Sequence, residues 1–192
     1  MIEKLKANLE KVVPICDELW SEIQKKAKEF FLKKGEVLIK YGSFCKNVYV
    51  ISSGSFESSL ISKNGNRQTV WFFFDELFYV TLTMDSYYLN VPTQYEITAL
   101  EDSKVLGFDK KFIDHLILKY PSFNQFYRHD IVTSYISTNE IHNIMITHTP
   151  LEILQYLKTN YPAILNRAPS KNLAHFMGIT PEWYSKLKNK IA

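Results

Sequence analysis

The spacing of apolar residues changes period twice along the chain. Between residues 3 and 32, Leu5, Leu9, Val12 and Val13 share one helical spacing. Leu19, Trp20, Ile23 and Ala27 share another. Pro14 falls between the two sets, which predicts two short helices, the second running to about residue 32. From residue 35 to 108 the pattern shortens to period two. Strands are predicted at residues 36–39, 48–51, 56–62, 68–74, 95–99 and 104–108. Gly42, Ser53-Gly54 and Glu101-Asp102-Ser103 punctuate them. Asn64-Gly65 predicts a hairpin through a type I′ turn, which needs positive φ at both central residues. Short strands at this density predict a β-sandwich, roll or barrel that holds most of the core.

After Asp109 the helical period returns. Residues 112–120 form a short predicted helix stopped by Pro121. Residues 122–147 contain no proline or glycine, enough for about seven helical turns. Its apolar members are Phe123, Phe126, Ile131, Tyr135, Ile141, Ile144 and Met145. Such a stripe must be covered by the chain's own β-domain, by the same helix of a second copy, or by both. Residues 150–159 predict a further helix, and residues 161–169 an irregular linker.

The C-terminal stretch is the most informative. Ser170 is placed to cap one helix and Thr180 to cap the next, with Pro181 at the first position of the second. Gly178 supplies a left-handed turn between them, and Ala174 is small where two helices must cross closely. Leu173, Met177, Ile179, Tyr184 and Leu187 are expected to point inward, while Trp183 is expected to pack beside Tyr184 or the linker, with contact to a thymine methyl as the alternative. That spacing is the pattern of a helix-turn-helix. Glu182, Ser185, Lys186 and Asn189 then recur on one outward face. Glutamate can accept from cytosine, lysine can donate to guanine, and serine is permissive. Lys171, Lys188 and Lys190 suit phosphate contacts, and Thr180 lies at the tip of the same helix.

Charge sharpens this picture. The net charge is +3, but residues 166–192 hold five basic side chains against Glu182 alone. That segment carries +4, which leaves −1 for everything before it. A basic module on a near-neutral body suits attraction to nucleic-acid phosphates. Hydrophobic content of 46% and charged content of 22% belong to a globular protein. There is no long apolar run and no apolar leader near the N-terminus, so no membrane contact is expected. Cys16 and Cys45 are too few for a disulfide framework or an Fe–S site, and free thiols point to the cytoplasm. No nucleotide-binding glycine loop and no H-E-x-x-H is present, and Gly54-Ser55-Phe56-Glu57-Ser58 is not a nucleophile elbow. His115, His129, His142, His148 and His175 lack metal-ligand spacing. Neither an enzymatic activity nor a metal is expected.

Taken in order, these motifs resemble the Crp/Fnr family of bacterial regulators. Lys34-Gly35-Glu36-Val37-Leu38-Ile39 and Val48-Tyr49-Val50-Ile51-Ser52-Ser53-Gly54 are similar to the opening of its cyclic-nucleotide-binding β-roll. Ala99-Leu100-Glu101-Asp102-Ser103 resembles a later strand turn, and residues 173–182 its helix-turn-helix. The resemblance implies an α+β fold: a double-stranded β-helix or β-roll with flanking helices, a long dimerisation helix, and a C-terminal helix-turn-helix domain. It divides the chain into a sensor at 1–121, a linker helix at 122–147 and a DNA-binding domain at 148–192. It implies double-stranded DNA, a second copy of the chain, a small-molecule effector and RNA polymerase as partners.

Three departures modify the expectation. Val80 and Thr81 stand where nucleotide-binding relatives carry Gly-Glu, and Thr93 or a neighbour stands where they carry arginine. A phosphate buried without a cation would be costly, so cyclic AMP is not expected and no cofactor is assigned. Tyr79, Thr81, Thr93 and Gln94 remain as candidate lining of a pocket for another ligand, with a filled, ligand-free interior as the alternative. The sequence ends shortly after the second helix, so the family's wing hairpin is expected to be incomplete. Lys186 replaces the arginine of many relatives, exchanging a rigid fork for a point charge. The competing reading is a small-ligand or protein-interaction module that does not bind DNA.

Overall fold

A computed structural model describes residues 2–191. Met1 and Ala192, the outermost residues of the first and last predicted domains, lie outside the described residues. Two helices, α1 (Ile2–Glu10) and α2 (Asp17–Lys26), precede eight strands: β1 (Lys28–Leu32), β2 (Val37–Ile39), β3 (Asn47–Ser53), β4 (Ser55–Ile61), β5 (Arg67–Phe74), β6 (Val80–Thr81), β7 (Tyr95–Ala99) and β8 (Ser103–Asp109). A short helix, α3 (Met84–Leu89), interrupts them. The helical half comprises α4 (Lys110–Lys119), α5 (Pro121–Thr147), α6 (Pro150–Asn160), α7 (Pro162–Arg167), α8 (Ser170–Phe176) and α9 (Pro181–Ile191).

The strands form two four-stranded antiparallel sheets, ordered β1-β8-β3-β6 and β2-β7-β4-β5. This is the β-roll with flanking helices that the sequence resemblance implies. Leu9, Leu19, Ile51, Phe56, Ile97, Val105 and Leu106 form its centre, each at most 1% exposed. Phe112, Leu116, Phe123 and Phe126 pack α4 and the start of α5 against the same cluster.

Four local expectations need correction. The second helix stops at Lys26, and Lys28–Leu32 is strand β1, paired with β8. Phe30 lies over Gly107, where an added Cβ would stand 2.7 Å from its ring, and it meets Tyr49 edge-on. A partner strand far along the chain decides this segment, and local spacing does not contain it. At the hairpin only Gly65 is left-handed, at φ 79°, so the turn is not type I′. Gly65 N–H donates to the Ser62 carbonyl and Ser62 N–H to that of Asn66, a three-residue loop closed at a glycine bulge. The predicted linker at 161–169 is mostly α7, begun by Pro162. Ser170 is the first helical residue of α8, with Pro169 at the cap position.

β5 is packed on both faces, one fully buried and one half-buried. Phe73 joins the roll's interior, whereas Phe72 and Phe74 on the opposite face are at most 1% exposed beneath the C-terminal helices. Ile153, Leu154, Leu157, Ile164, Leu173, Ala174, Tyr184 and Leu187 complete that second core. The α6 N-terminus is fixed by a capping box, with Glu152 N–H bound to Thr149 Oγ1 and Thr149 N–H to Glu152.

Gly54 turns β3 into β4 at φ 104°, and a Cβ there would lie within 2.8 Å of the Ser103 backbone. Gly65, by contrast, faces open space. Gly54→Ala should therefore cost about 3 kcal/mol, strain plus overpacking, and lower Tm by roughly 10 °C. Gly65→Ala should cost only its backbone strain, about 1 kcal/mol. Equal melting temperatures for the two variants would contradict the clash.

Candidate nucleic-acid interface and adjoining cavity

The two C-terminal helices cross over a tight bend. Gly178, at φ 65°, donates its N–H to the His175 carbonyl, and Ile179 N–H reaches the Ala174 carbonyl, each at 3.0 Å. This pair of bonds is a Schellman motif, satisfying the carbonyls that end α8. Ala174 and Tyr184 are buried at the crossing. Thr180 caps α9, its Oγ1 accepting from Trp183 N–H at 3.2 Å. Leu173, Met177 and Leu187 are buried and Ile179 half-buried. Trp183 is 47% exposed and stands outside the second core, contrary to the packed position expected for it.

Glu182, Ser185, Lys186 and Asn189 are all exposed on α9, with Lys188 and Lys190 beside them and Lys171 exposed on α8. None of these lysines has an ion-pair partner among the described residues. Hydrogen bonds from its own backbone amide and from Thr180 hold the Glu182 carboxyl below the usual carboxylate range. It is an anion seated at a helix N-terminus.

Arg167 is the basic residue of this segment that is not free. Its Nη1 reaches Asp75 Oδ1 at 2.7 Å and Glu76 Oε1 at 3.3 Å, and its Nη2 reaches Glu101 Oε1 at 2.6 Å. Lys4 Nζ approaches the other Asp75 oxygen at 2.6 Å, and the Arg167 guanidinium lies 5.3 Å from the Phe74 ring centre. Asn172 donates to buried Glu57, whose carboxylate also accepts from Thr69 Oγ1, and Gln68 donates to the His175 carbonyl. The helix-turn-helix is thus docked on β5 by a shared core and a polar rim.

A cavity of about 870 Å³ lies between the roll and α5. Ser58 and Leu60 of β4, Trp71 and Phe73 of β5, residues 78–80 and 82–84, and Asp130, Ser134 and Thr138 of α5 contribute to its wall. Of the four pocket residues expected from sequence, Tyr79 lines it. Thr81 is fully buried on the other face of its two-residue strand from Val80. Thr93 Oγ1 and Gln94 N–H donate to Asp85 at 3.0 and 3.1 Å and are drawn away from the cavity. Sequence reasoning missed Asp130, Ser58 and Thr83. Asp130 carries a visible signal, being an acid on the same helical spacing as Phe123 and Phe126.

The sequence profile of the cyclic nucleotide-binding domain matches residues 29–120. Among solved structures, FixK2 from Bradyrhizobium japonicum superposes with a TM-score of 0.66 at 15% identity, covering 86% of this chain and 84% of its own. A protein from Eubacterium rectale assigned as a transcriptional regulator of the Crp/Fnr family gives 0.68 at 12% identity, with 92% and 83% covered. The global regulator CLP of Xanthomonas campestris, described as c-di-GMP responsive, gives 0.68 at 10% identity, with 89% of each chain covered. No curated protein matches the sequence. Residues 29–120 are thus similar to a cyclic nucleotide-binding domain, and the chain shares the fold of these regulators.

No lysine or arginine lines the cavity among the described residues. Asp130 and His142 are, besides tyrosines, its titratable groups. Among the described residues no group of three His, Cys, Asp or Glu side chains is placed to hold a metal, and no helix is long and apolar enough to cross a membrane.

The Arg167 cluster sets a pH dependence. Burial pushes the Asp75 and Glu101 carboxyls up, but hydrogen bonds from Arg167, with Lys4 on Asp75 and Ser55 on Glu101, outweigh it and hold both below their ordinary values. Folded values below unfolded ones mean that the unfolded chain binds more protons in acid. The stabilisation is full above the ordinary carboxylate range, about pH 4–4.5, and is lost as pH falls through the folded values. Arg167→Ala should cost about 1–2 kcal/mol at pH 7, a discounted figure for a partly exposed cluster. It should also reduce the fall in Tm between pH 7 and 3. An unchanged pH profile of Tm would show that the cluster adds nothing.

Proposed function

We propose that the chain is a DNA-binding transcription regulator of Crp/Fnr type that acts as a cytoplasmic homodimer. The observation that carries this reading is the α9 face. Glu182, Ser185, Lys186 and Asn189 stand exposed together, held up by the Schellman bend and a buried crossing beneath. In this reading Thr180 and that face enter the major groove, while Lys171, Lys188 and Lys190 hold flanking phosphates. Residues 1–121 act as sensor, 122–147 as dimerisation helix and 148–192 as DNA reader.

Two further features support it. On α5, Val132, Tyr135, Ile136 and Ile146 are each more than half exposed, although Phe123, Phe126 and Ile141 of the same helix are buried. The exposed set recurs at coiled-coil spacing, with Asn139 between its halves. A second copy of α5 would cover it and set two α9 helices toward half-sites about 34 Å apart. The cavity wall contains no cation for a phosphate, so cyclic AMP is not the effector in this reading.

Lys186→Ala should weaken binding to a selected operator by about tenfold while leaving Tm unchanged. Affinity of the unmodified protein should fall steeply with salt, log K dropping by about 0.9 per phosphate contact for each decade. Salt-insensitive or absent binding across a genomic fragment pool would favour a protein-interaction module. Ile136→Glu should yield a folded monomer in light scattering, with DNA affinity lost alongside the dimer. A dimer that survives this change would place the subunit contact elsewhere.

A further inference from the structure

The cavity between the roll and α5 has a chemistry of its own. Its wall is apolar and includes the aromatic rings of Trp71, Phe73, Phe78, Tyr79 and Tyr95 from the roll and Phe126 from α5. Asp130 projects from α5 into it. The carboxylate is given a single hydrogen bond, from Tyr79 Oη at 3.5 Å, and no salt bridge to a lysine or arginine. Burial pushes the Asp130 carboxyl up, against the smaller opposing effects of the Tyr79 hydrogen bond and the neighbouring His129, and pushes the Tyr79 phenol up as well. Thr83, 2% exposed, lines the same space with its hydroxyl unpartnered. A half-buried carboxylate that lines an apolar cavity with one long hydrogen bond and no lysine or arginine partner has room for a cationic partner, because a desolvated charge is stable when paired. Aromatic faces attract cations, and desolvation strengthens that attraction.

We propose that this cavity binds a hydrophobic organic cation, an amine or quaternary onium carried on an apolar body, with Asp130 as counter-ion, the aromatic wall around the charge and Thr83 as a hydrogen-bonding partner. The volume of about 870 Å³ suits a ligand of drug size. Phosphates and carboxylates are disfavoured by the same Asp130. This inference rests on reading the roll as an effector domain. It adds a route for the signal, since two wall residues also touch the reader. The Trp71 ring centre lies 6.3 Å from that of Phe176 in α8, and Phe78 stacks on Tyr161 at 6.1 Å. Phe78 keeps φ 54°, a left-handed backbone that an aromatic residue seldom adopts, so its placement is imposed by these neighbours. A ligand that presses on Trp71 or Phe78 therefore displaces α8 or the start of α7 directly.

The test uses the full chain without DNA. Tetraphenylphosphonium, dodecanoate and cyclic AMP are titrated by calorimetry and by tryptophan fluorescence. Saturable binding of the phosphonium, one per chain, is expected, with neither anion binding. Asp130→Asn should weaken it by roughly tenfold or more, the loss of one desolvated charge pair. Thr138→Lys, at an exposed position on the cavity rim, should abolish it even if the first variant folds poorly. Absence of saturable phosphonium binding, equal or tighter binding of either anion, or full affinity in both variants would overturn the proposal. Operator affinity is measured separately. A chain that binds the cation but no DNA overturns only the regulator reading, and one that binds DNA but no cation overturns only this one.

Discussion

The orientation of α8 and α9 depends on one strand that is packed on both of its faces. Most sheets in a small roll bury one side and wet the other. β5 packs half-buried Phe73 against the roll and buries Phe72 and Phe74 beneath α6, α8 and α9. The C-terminal helices are too short to enclose a core unaided, and the two phenylalanines supply its floor. Arg167 reinforces the joint at its edge by drawing three acidic side chains of the roll toward α7. The direction in which α9 faces is thus a property of the roll as much as of the helices.

Much of this architecture is legible in the residues. The strands at 95–99 and 104–108, the helix after Pro121, the Gly178 bend and the Thr180 cap all rest on strong local signals. What escapes is decided at a distance. Residues 28–32 follow a helix without a break in spacing, and only their pairing with β8 makes them a strand. α3 and α7 are single short helices of six residues, whose pattern is too brief to distinguish from loop. Asn64-Gly65 signals a hairpin, but the loop length that selects the turn type is not written in the dipeptide. At the candidate site, the exposed face of α9 is readable from spacing alone, whereas the cavity wall gathers residues from both sheets and α5. Thr93 and Gln94 have the right chemistry for a polar pocket, yet Asp85 claims them first.

The roll resembles a nucleotide-binding domain in shape, but no lysine or arginine lines its cavity among the described residues, and Asp130 of α5 does. Shape and specificity have separate origins here. The sheets are set by strand pairing and core packing, and the ligand class by a handful of side chains that those constraints leave free.

β5 also lies at the margin of its sheet, the last strand in the order β2-β7-β4-β5. A margin strand with two outward phenylalanines would invite pairing with the same strand of another molecule. Packing α8 over it conceals the phenylalanines that would make such pairing stick. Expression of residues 1–147 alone would uncover Phe72 and Phe74 on an open edge. The C-terminal helices thus also shield an apolar face that the roll would otherwise expose beside an open strand edge.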